Sequence, residues 1–227
     1  DNVTIAAGVD AYDGIANDYP VFSSLNDCNI DVDVIIDFSN AQAVDGLLDY
    51  AVASKTPVVL CTTGLSEEQL DKVEAASKHV AVLRSANMSI GINVILKLLK
   101  EAVSRFAPEG FDVEIVEKHH NQKLDAPSGT AIALADAMNE EMNGMYEYVY
   151  DRSQVRKKRG KKELGISAIR GGNIVGEHDV IFAGTDEVIT ISHSAHSKAI
   201  FAKGAIAAAK YLAGRTPGLY DMSDVMA

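Results

Sequence analysis

The sequence predicts an α/β chain in two parts: a doubly wound parallel sheet, and an α+β domain with an open mixed sheet. Three observations predict it. Up to residue 89, short apolar runs alternate with helical periodicities, as parallel βαβ units require. From Phe111 the pattern changes to runs rich in Val, Ile and Phe, at 111–116, 164–170, 173–183 and 188–192, with one helix, after Pro127, among them. An alanine-rich helical stretch at 198–212 then follows, placed to pack back on the first part. The expected domains are residues 1–89 with 198–227, and residues 90–197.

With 227 residues, 47% of them hydrophobic, the chain can bury a core and is long enough for two domains. A formal net charge of −11 argues against non-specific binding to nucleic acid or to an anionic membrane. Any anionic ligand therefore needs a local basic site. Cys28 and Cys61 are too few for a disulfide framework, and no run approaches the roughly 18 apolar residues that span a bilayer. A cytoplasmic setting is expected.

Val3 to Val9 reads as a buried strand ending in Gly8-Val9-Asp10. In a dinucleotide-binding fold an acidic residue at such a strand tip accepts hydrogen bonds from ribose. Asp10 is placed for that, though a turn made with Asp13 and Gly14 would use it equally well. The chain opens at Asp1-Asn2 without a methionine or signal-like segment. Its start holds no strand, G-x-G-x-x-G turn and helix, and Gly171 to Gly176 has the wrong spacing and a β-rich continuation. The expectation is a Rossmann-like dinucleotide-binding domain lacking its first βα unit.

Val32 to Phe38, Pro57 to Leu60 and Val80 to Leu83 are the following strands. Ala43, Val44, Leu47, Leu48, Ala51 and Val52 mark one helix, and Ser66-Glu67-Glu68-Gln69 is a capping box that opens the next. Ligands bind such sheets at the carboxyl ends of strands. Three ends carry small polar residues, Asp37-Phe38-Ser39, Cys61-Thr62-Thr63-Gly64 and Ser85-Ala86-Asn87, fit for a close-lying ring and ribose or for plain connecting loops.

Ile90 to Phe106 predicts a long helix with Asn93, Lys97, Lys100 and Ser104 on one face and Val94, Ile95, Leu98, Leu99 and Ala102 on the other. The dense basic run Arg156 to Lys162 reads as a solvated loop, with a nucleic-acid patch or attraction of a dianion as the other readings. The richest chemistry lies at 117–131, between a strand and a helix. His119 and His120 titrate near neutrality as residue types, Lys123 is a cation, and Ser128 to Thr130 present backbone N–H groups at a helix start. The set suits a small anion. Both histidines reach one ligand only if the chain leaves strand geometry by His119.

Glu-x-His-His-x-x-Lys-x-Asp-Ala-Pro-Ser-Gly-Thr-Ala at 117–131 resembles the signature of the dihydrodipicolinate reductase family, nicotinamide-dependent enzymes of the diaminopimelate route to lysine. Gly-Val-Asp at 8–10, Asp-Phe-Ser at 37–39, Thr-Thr-Gly at 62–64, the stretch 86–93, Ile-Val-Gly-Glu-His at 174–178 and Gly-Leu-Tyr-Asp-Met at 218–222 extend the likeness nearly end to end. The resemblance implies His119 as proton donor, Lys123 as a second acid, His120 as a substrate contact, and Ser128, Gly129 and Thr130 as holders of a substrate carboxylate. It implies NADH or NADPH, contacted by Asp10, Phe38, Ser39, Cys61, Thr62, Thr63, Gly64, Ser85, Ala86, Asn87 and Met88. A homotetramer built through the second domain is implied as well. Cys61 stands where the family often has glycine, and Lys198 where it usually has arginine, which are not equivalent at a bidentate site. The competing readings are a non-catalytic dicarboxylate-binding fragment and another nicotinamide dehydrogenase of similar plan.

Overall fold

The structure, a computed structural model, describes residues 2–12 and 14–226, so Asp13 lies outside the described residues. The chain divides into two units, Asp1–Met88 with Ala202–Ala227, and Ser89–Phe201.

In the first unit, β1 (Gly8–Val9) pairs in parallel with β2 (Val21–Phe22) as a two-stranded sheet of its own. This corrects the expected buried strand over Val3 to Val9. Val3, Ile5 and Val9 are exposed, because a two-stranded ribbon has no second layer to cover apolar side chains. β3 (Ile35–Asp37), α1 (Ala41–Ser54), β4 (Val58–Leu60), α2 (Glu67–Ser77) and β5 (Ala81–Arg84) then follow as βαβαβ. Asn40 caps α1 by accepting from the Gln42 N–H, and Lys55 ends it in the left-handed region at φ 57°. Ser66 and Gln69 form the expected capping box on α2. Val44, Leu47, Leu48 and Ala51 of α1 pack with Val58 and Leu60 of β4 and Val73 and Ala76 of α2 into one core.

The second unit begins with α3 (Ile90–Phe106), which Ser89 caps by accepting from the Ile92 N–H. Its faces differ from expectation. Ile92, Leu99 and Val103 are buried together with the polar Asn93, whose amide donates to Ser89 O at 2.8 Å, while Val94 and Leu98 are exposed. β6 (Asp112–His119) alternates strictly between half-buried and buried positions. After it come α4 (Gly129–Glu141), β7 (Glu147–Val149), β8 (Glu163–Arg170), β9 (Gly176–Ala183) and β10 (Val188–Ala195). The sheet order is β10-β9-β6-β8-β7, antiparallel between β10, β9 and β6 and parallel between β6, β8 and β7. A mixed sheet was expected, but β7 was not. Leu99 and Val103 of α3 and Leu134 and Met138 of α4 cover Val113, Ile115, Leu164, Ile166, Val180 and Phe182.

The basic run is more than a solvated loop. Arg159 donates to Asp112 Oδ1 at 2.7 Å and Glu114 Oε1 at 2.8 Å, and Lys157 pairs with Glu163 at 3.4 Å, so two of its cations pin the loop to the sheet.

α5 (Ala199–Leu212) leads back to the first unit. There β11 (Gly218–Tyr220) pairs in parallel with β5, giving a four-stranded parallel sheet of order β11-β5-β4-β3, and α6 (Met222–Val225) follows. A side chain at Gly204 of α5 would sit 1.7 Å from the Met88 carbonyl oxygen, so only glycine permits this approach.

Candidate active site

Along β6 the buried positions run Val113, Ile115, Glu117, His119. The face that builds the core thus turns polar at its carboxyl end. Glu117 is fully buried, a cost that only hydrogen-bonded partners can offset. It has four polar contacts, three of them with groups that can only donate. Arg170, at the end of β8, donates Nη1 to Oε2 and Nη2 to Oε1, each at 2.7 Å. His119 Nδ1 lies 2.7 Å from Oε2, and the Ser128 N–H donates to Oε1 at 2.9 Å. Burial alone would raise the Glu117 carboxyl, but Arg170, His119 and Ser128 together hold it below the usual range.

Strand register brings the rest of the cluster together. Glu117 stands directly opposite His178 of β9, which stands opposite His193 of β10, and His119 stands opposite Arg170. The His119 and His178 rings meet edge to face with centroids 5.2 Å apart. His178 Nε2 lies 3.0 Å from Ser128 Oγ, while its Nδ1 and that of His193 are buried without a partner among the described residues. Burial first, and then His119, push His178 down to about 4, so it is neutral at neutral pH. A side chain at Gly176 would lie 3.0 Å from His119 Nε2, so the glycine gives that ring its room.

The loop after β6 carries the other candidates. His119 is the last residue in strand geometry, so the departure expected by that residue begins only at His120, whose carbonyl accepts from the Lys123 N–H at 3.2 Å. Lys123 Nζ pairs with Asp125 Oδ1 at 2.8 Å. The Lys123 ammonium, aided by the Asp125 and Gly129 backbone N–H groups, holds the Asp125 carboxyl below the usual range. Ser128 caps α4 by accepting from the Ala131 N–H at 3.1 Å, so its hydroxyl and its N–H are both committed within the protein. Beside it, the space where a Gly129 side chain would project is open. Of the sequence candidates, His119 thus ends β6, His120 and Lys123 lie in the loop after it, Ser128 caps α4, and Gly129 and Thr130 begin that helix. Glu117, Arg170, His178 and His193 join them and were not anticipated. The buried parity shared by Glu117 and His119 was a signal for the first; the other three are distant in sequence.

In the first unit, parallel pairing sets the carboxyl ends of β3, β4 and β5 side by side. Thr62 Oγ1 donates to Asp37 Oδ2 at 2.6 Å and the Ser39 N–H to Asp37 Oδ1 at 3.1 Å, tying two of these ends together. Phe38 is exposed, and Gly64 turns the chain at φ 75°. Burial, then the charge of Asp37, push the Cys61 thiol up to about 12. Met88 is a core residue. Asp10 Oδ1 accepts from the Tyr12 N–H at 2.9 Å in a local turn after β1.

Comparison with known proteins bears on both units. The family description "Dihydrodipicolinate reductase, N-terminus" matches residues 3–88, and "Dihydrodipicolinate reductase, C-terminus" matches residues 91–226. A 4-hydroxy-tetrahydrodipicolinate reductase of Caldanaerobacter subterraneus is 54% identical over 222 residues, 98% of this chain and 87% of that protein. One from Clostridium novyi is 49% identical over 226 residues, 100% of this chain and 89% of that protein. Among solved structures, a dipicolinate-bound dihydrodipicolinate reductase from Paenisporosarcina sp. TG-14 superposes with a TM-score of 0.78 at 22% identity, covering 98% of this chain and 89% of that one. At that identity the likeness speaks for the fold.

Proposed function

The chain belongs to the dihydrodipicolinate reductase family, and from that premise we propose that it reduces 4-hydroxy-tetrahydrodipicolinate, or its dehydrated form, to tetrahydrodipicolinate in lysine biosynthesis. When bound, NADH or NADPH supplies the hydride. The adjacent ends of β3, β4 and β5 suit such a cofactor, since Phe38, Ser39, Thr62, Thr63, Gly64, Ser85, Ala86 and Asn87 follow the carboxyl ends of these strands and offer small or flat groups there.

One observation carries the substrate reading. A carboxylate, that of Asp125, is already held by Lys123 at 2.8 Å, four residues before Gly129 opens α4. These are the groups that would hold a substrate carboxylate, with Thr130 next along the helix and His120 beside the loop. Lys123 then stabilises the charge that develops as the hydride arrives, and His119 delivers a proton to the neighbouring ring carbon. The enzyme is proposed to act in the cytoplasm as a homotetramer assembled through the second unit. No described helix is long and apolar enough to cross a membrane.

The test follows the fall in nicotinamide absorbance with freshly generated substrate. Wild type is expected to turn over, and His119→Gln with Lys123→Ala to lose on the order of a hundredfold or more. Binding of pyridine-2,6-dicarboxylate without any turnover would favour the binding-only reading instead, and an undiminished rate in the double variant would refute the assignment of these residues.

A further inference from the structure

We propose that Glu117, held as a carboxylate by Arg170, is a positioning residue that fixes the proton of His119 on Nδ1 and so reserves Nε2 for proton delivery. The proposal rests on the reading of His119 as the proton donor. Glu117 itself touches neither substrate nor cofactor on that reading.

Each Glu117 oxygen takes two contacts. Oε2 meets Arg170 Nη1 and His119 Nδ1, and Oε1 meets Arg170 Nη2 and the Ser128 N–H. Three of these four are donors in every protonation state that matters, because a guanidinium and a backbone N–H cannot accept. An ionised carboxylate accepts only, so the fourth must also donate, and His119 Nδ1 carries a hydrogen whether the ring is neutral or cationic. Nε2 is then the atom whose protonation changes. Among the described residues Nε2 has no protein hydrogen-bond partner, and Gly176 leaves the room in front of it.

Arg170 prevents the alternative in which the carboxylate takes the proton. Its two-pronged contact stabilises the anion and occupies both oxygens. The other groups facing His119 do not compete for the proton. His178, at a ring separation of 5.2 Å, is kept neutral, and its Nε2 is engaged by Ser128. Lys123, on the loop beyond the strand, is a cation paired with Asp125.

In the reaction, written for the dehydrated substrate because the hydroxylated form must first lose water, the Nε2–H bond of the imidazolium breaks and a C–H bond forms at the ring carbon next to the one that received the hydride. The electron pair left on that carbon by hydride addition takes the proton. The substrate is reduced by two electrons, the nicotinamide is oxidised by two, and His119 is left neutral with its hydrogen still on Nδ1. A solvent proton then restores Nε2–H.

Nitrogen-15 NMR of the full chain without substrate reads the tautomer directly. Neutral wild-type His119 is expected as the Nδ1–H form. In Glu117→Gln the amide NH2 must face one side of the site. The Ser128 N–H is fixed by the backbone and cannot adapt, whereas the imidazole can move its proton. The neutral ring is therefore expected to switch to Nε2–H, with kcat falling on the order of tenfold to a hundredfold and KM for the dicarboxylate changing little. Glu117→Asp, which keeps the charge, should restore the Nδ1–H form and part of the rate. A neutral Nε2–H tautomer in wild type would overturn the proposal even if Glu117→Gln failed to fold. So would a Glu117→Gln protein with both tautomer and kcat unchanged. Full activity in His119→Gln would instead overturn the proton-donor assignment, whatever the tautomer proves to be.

Discussion

Glu117, near the end of β6, and Asp125, in the loop that follows it, are two carboxylates with opposite circumstances. Glu117 is inaccessible and surrounded by donors, so removing its cation leaves an uncompensated buried charge. Arg170→Met is therefore expected to destabilise the second unit by about 3–5 kcal/mol, measured by urea denaturation. A loss below about 1 kcal/mol would mean that the pair contributes little. Asp125 is largely exposed and engages Lys123, which on the functional reading must turn to a substrate carboxylate. Asp125→Asn removes that competitor. Calorimetry should then show pyridine-2,6-dicarboxylate binding a fewfold more tightly, or about 0.5–1 kcal/mol; weaker binding would show that Asp125 helps to shape the site.

At the scale of elements, the close approach of α5 to Met88, in the segment between β5 and α3, makes a definite prediction. The atom opposing a side chain at Gly204 is the Met88 carbonyl oxygen, part of the backbone, which cannot swing aside as a side chain would. Gly204→Ala should cost about 1–3 kcal/mol or more in thermal unfolding, and a neutral result would mean that the helix shifts freely. Elements were largely legible from periodicity, and α3 begins and ends where the pattern placed it. Its faces were not. Both sides of that helix carry apolar residues, and the deciding feature, the burial of the polar Asn93 with its amide satisfied one turn back by Ser89 O, has no periodic signature. Val3 to Val9 failed for a related reason: apolar composition suggested burial, but a strand buries nothing without a second layer over it. The site divided in the same way. The residues contiguous in sequence at 119–130 could be read together, whereas Arg170, His178 and His193 reach the cluster only through the register of β8, β9 and β10 against β6.

At the scale of the whole molecule, these ionisations determine how stability depends on pH. His178 has a folded value of about 4 against an ordinary 6.5, set first by burial and then by His119, with Glu117 acting in the opposite direction and His193 and Lys123 adding to the depression. Between those values the unfolded chain binds a proton that the folded chain refuses, so stability must fall as pH falls from 6.5 to 4. The depression corresponds to roughly 3 kcal/mol for His178, and burial of His193 acts in the same direction. The carboxylates take over lower down. Glu117, Asp125 and Asp179 are held below their ordinary range, and Glu163 is drawn down to about 2, chiefly by Arg152. Their stabilisation is complete above the ordinary carboxylate range and is lost as pH falls through the folded values. Melting temperature against pH should therefore decline in two stages, the first attributable to buried histidine and the second to paired carboxylates. His178→Asn separates them: it should reduce the slope between pH 6.5 and 4 to the share left by His193 and leave the lower stage in place. An unchanged upper stage would show that His178 takes up its proton within the folded protein, and that the neutral partner assigned to Ser128 is wrong.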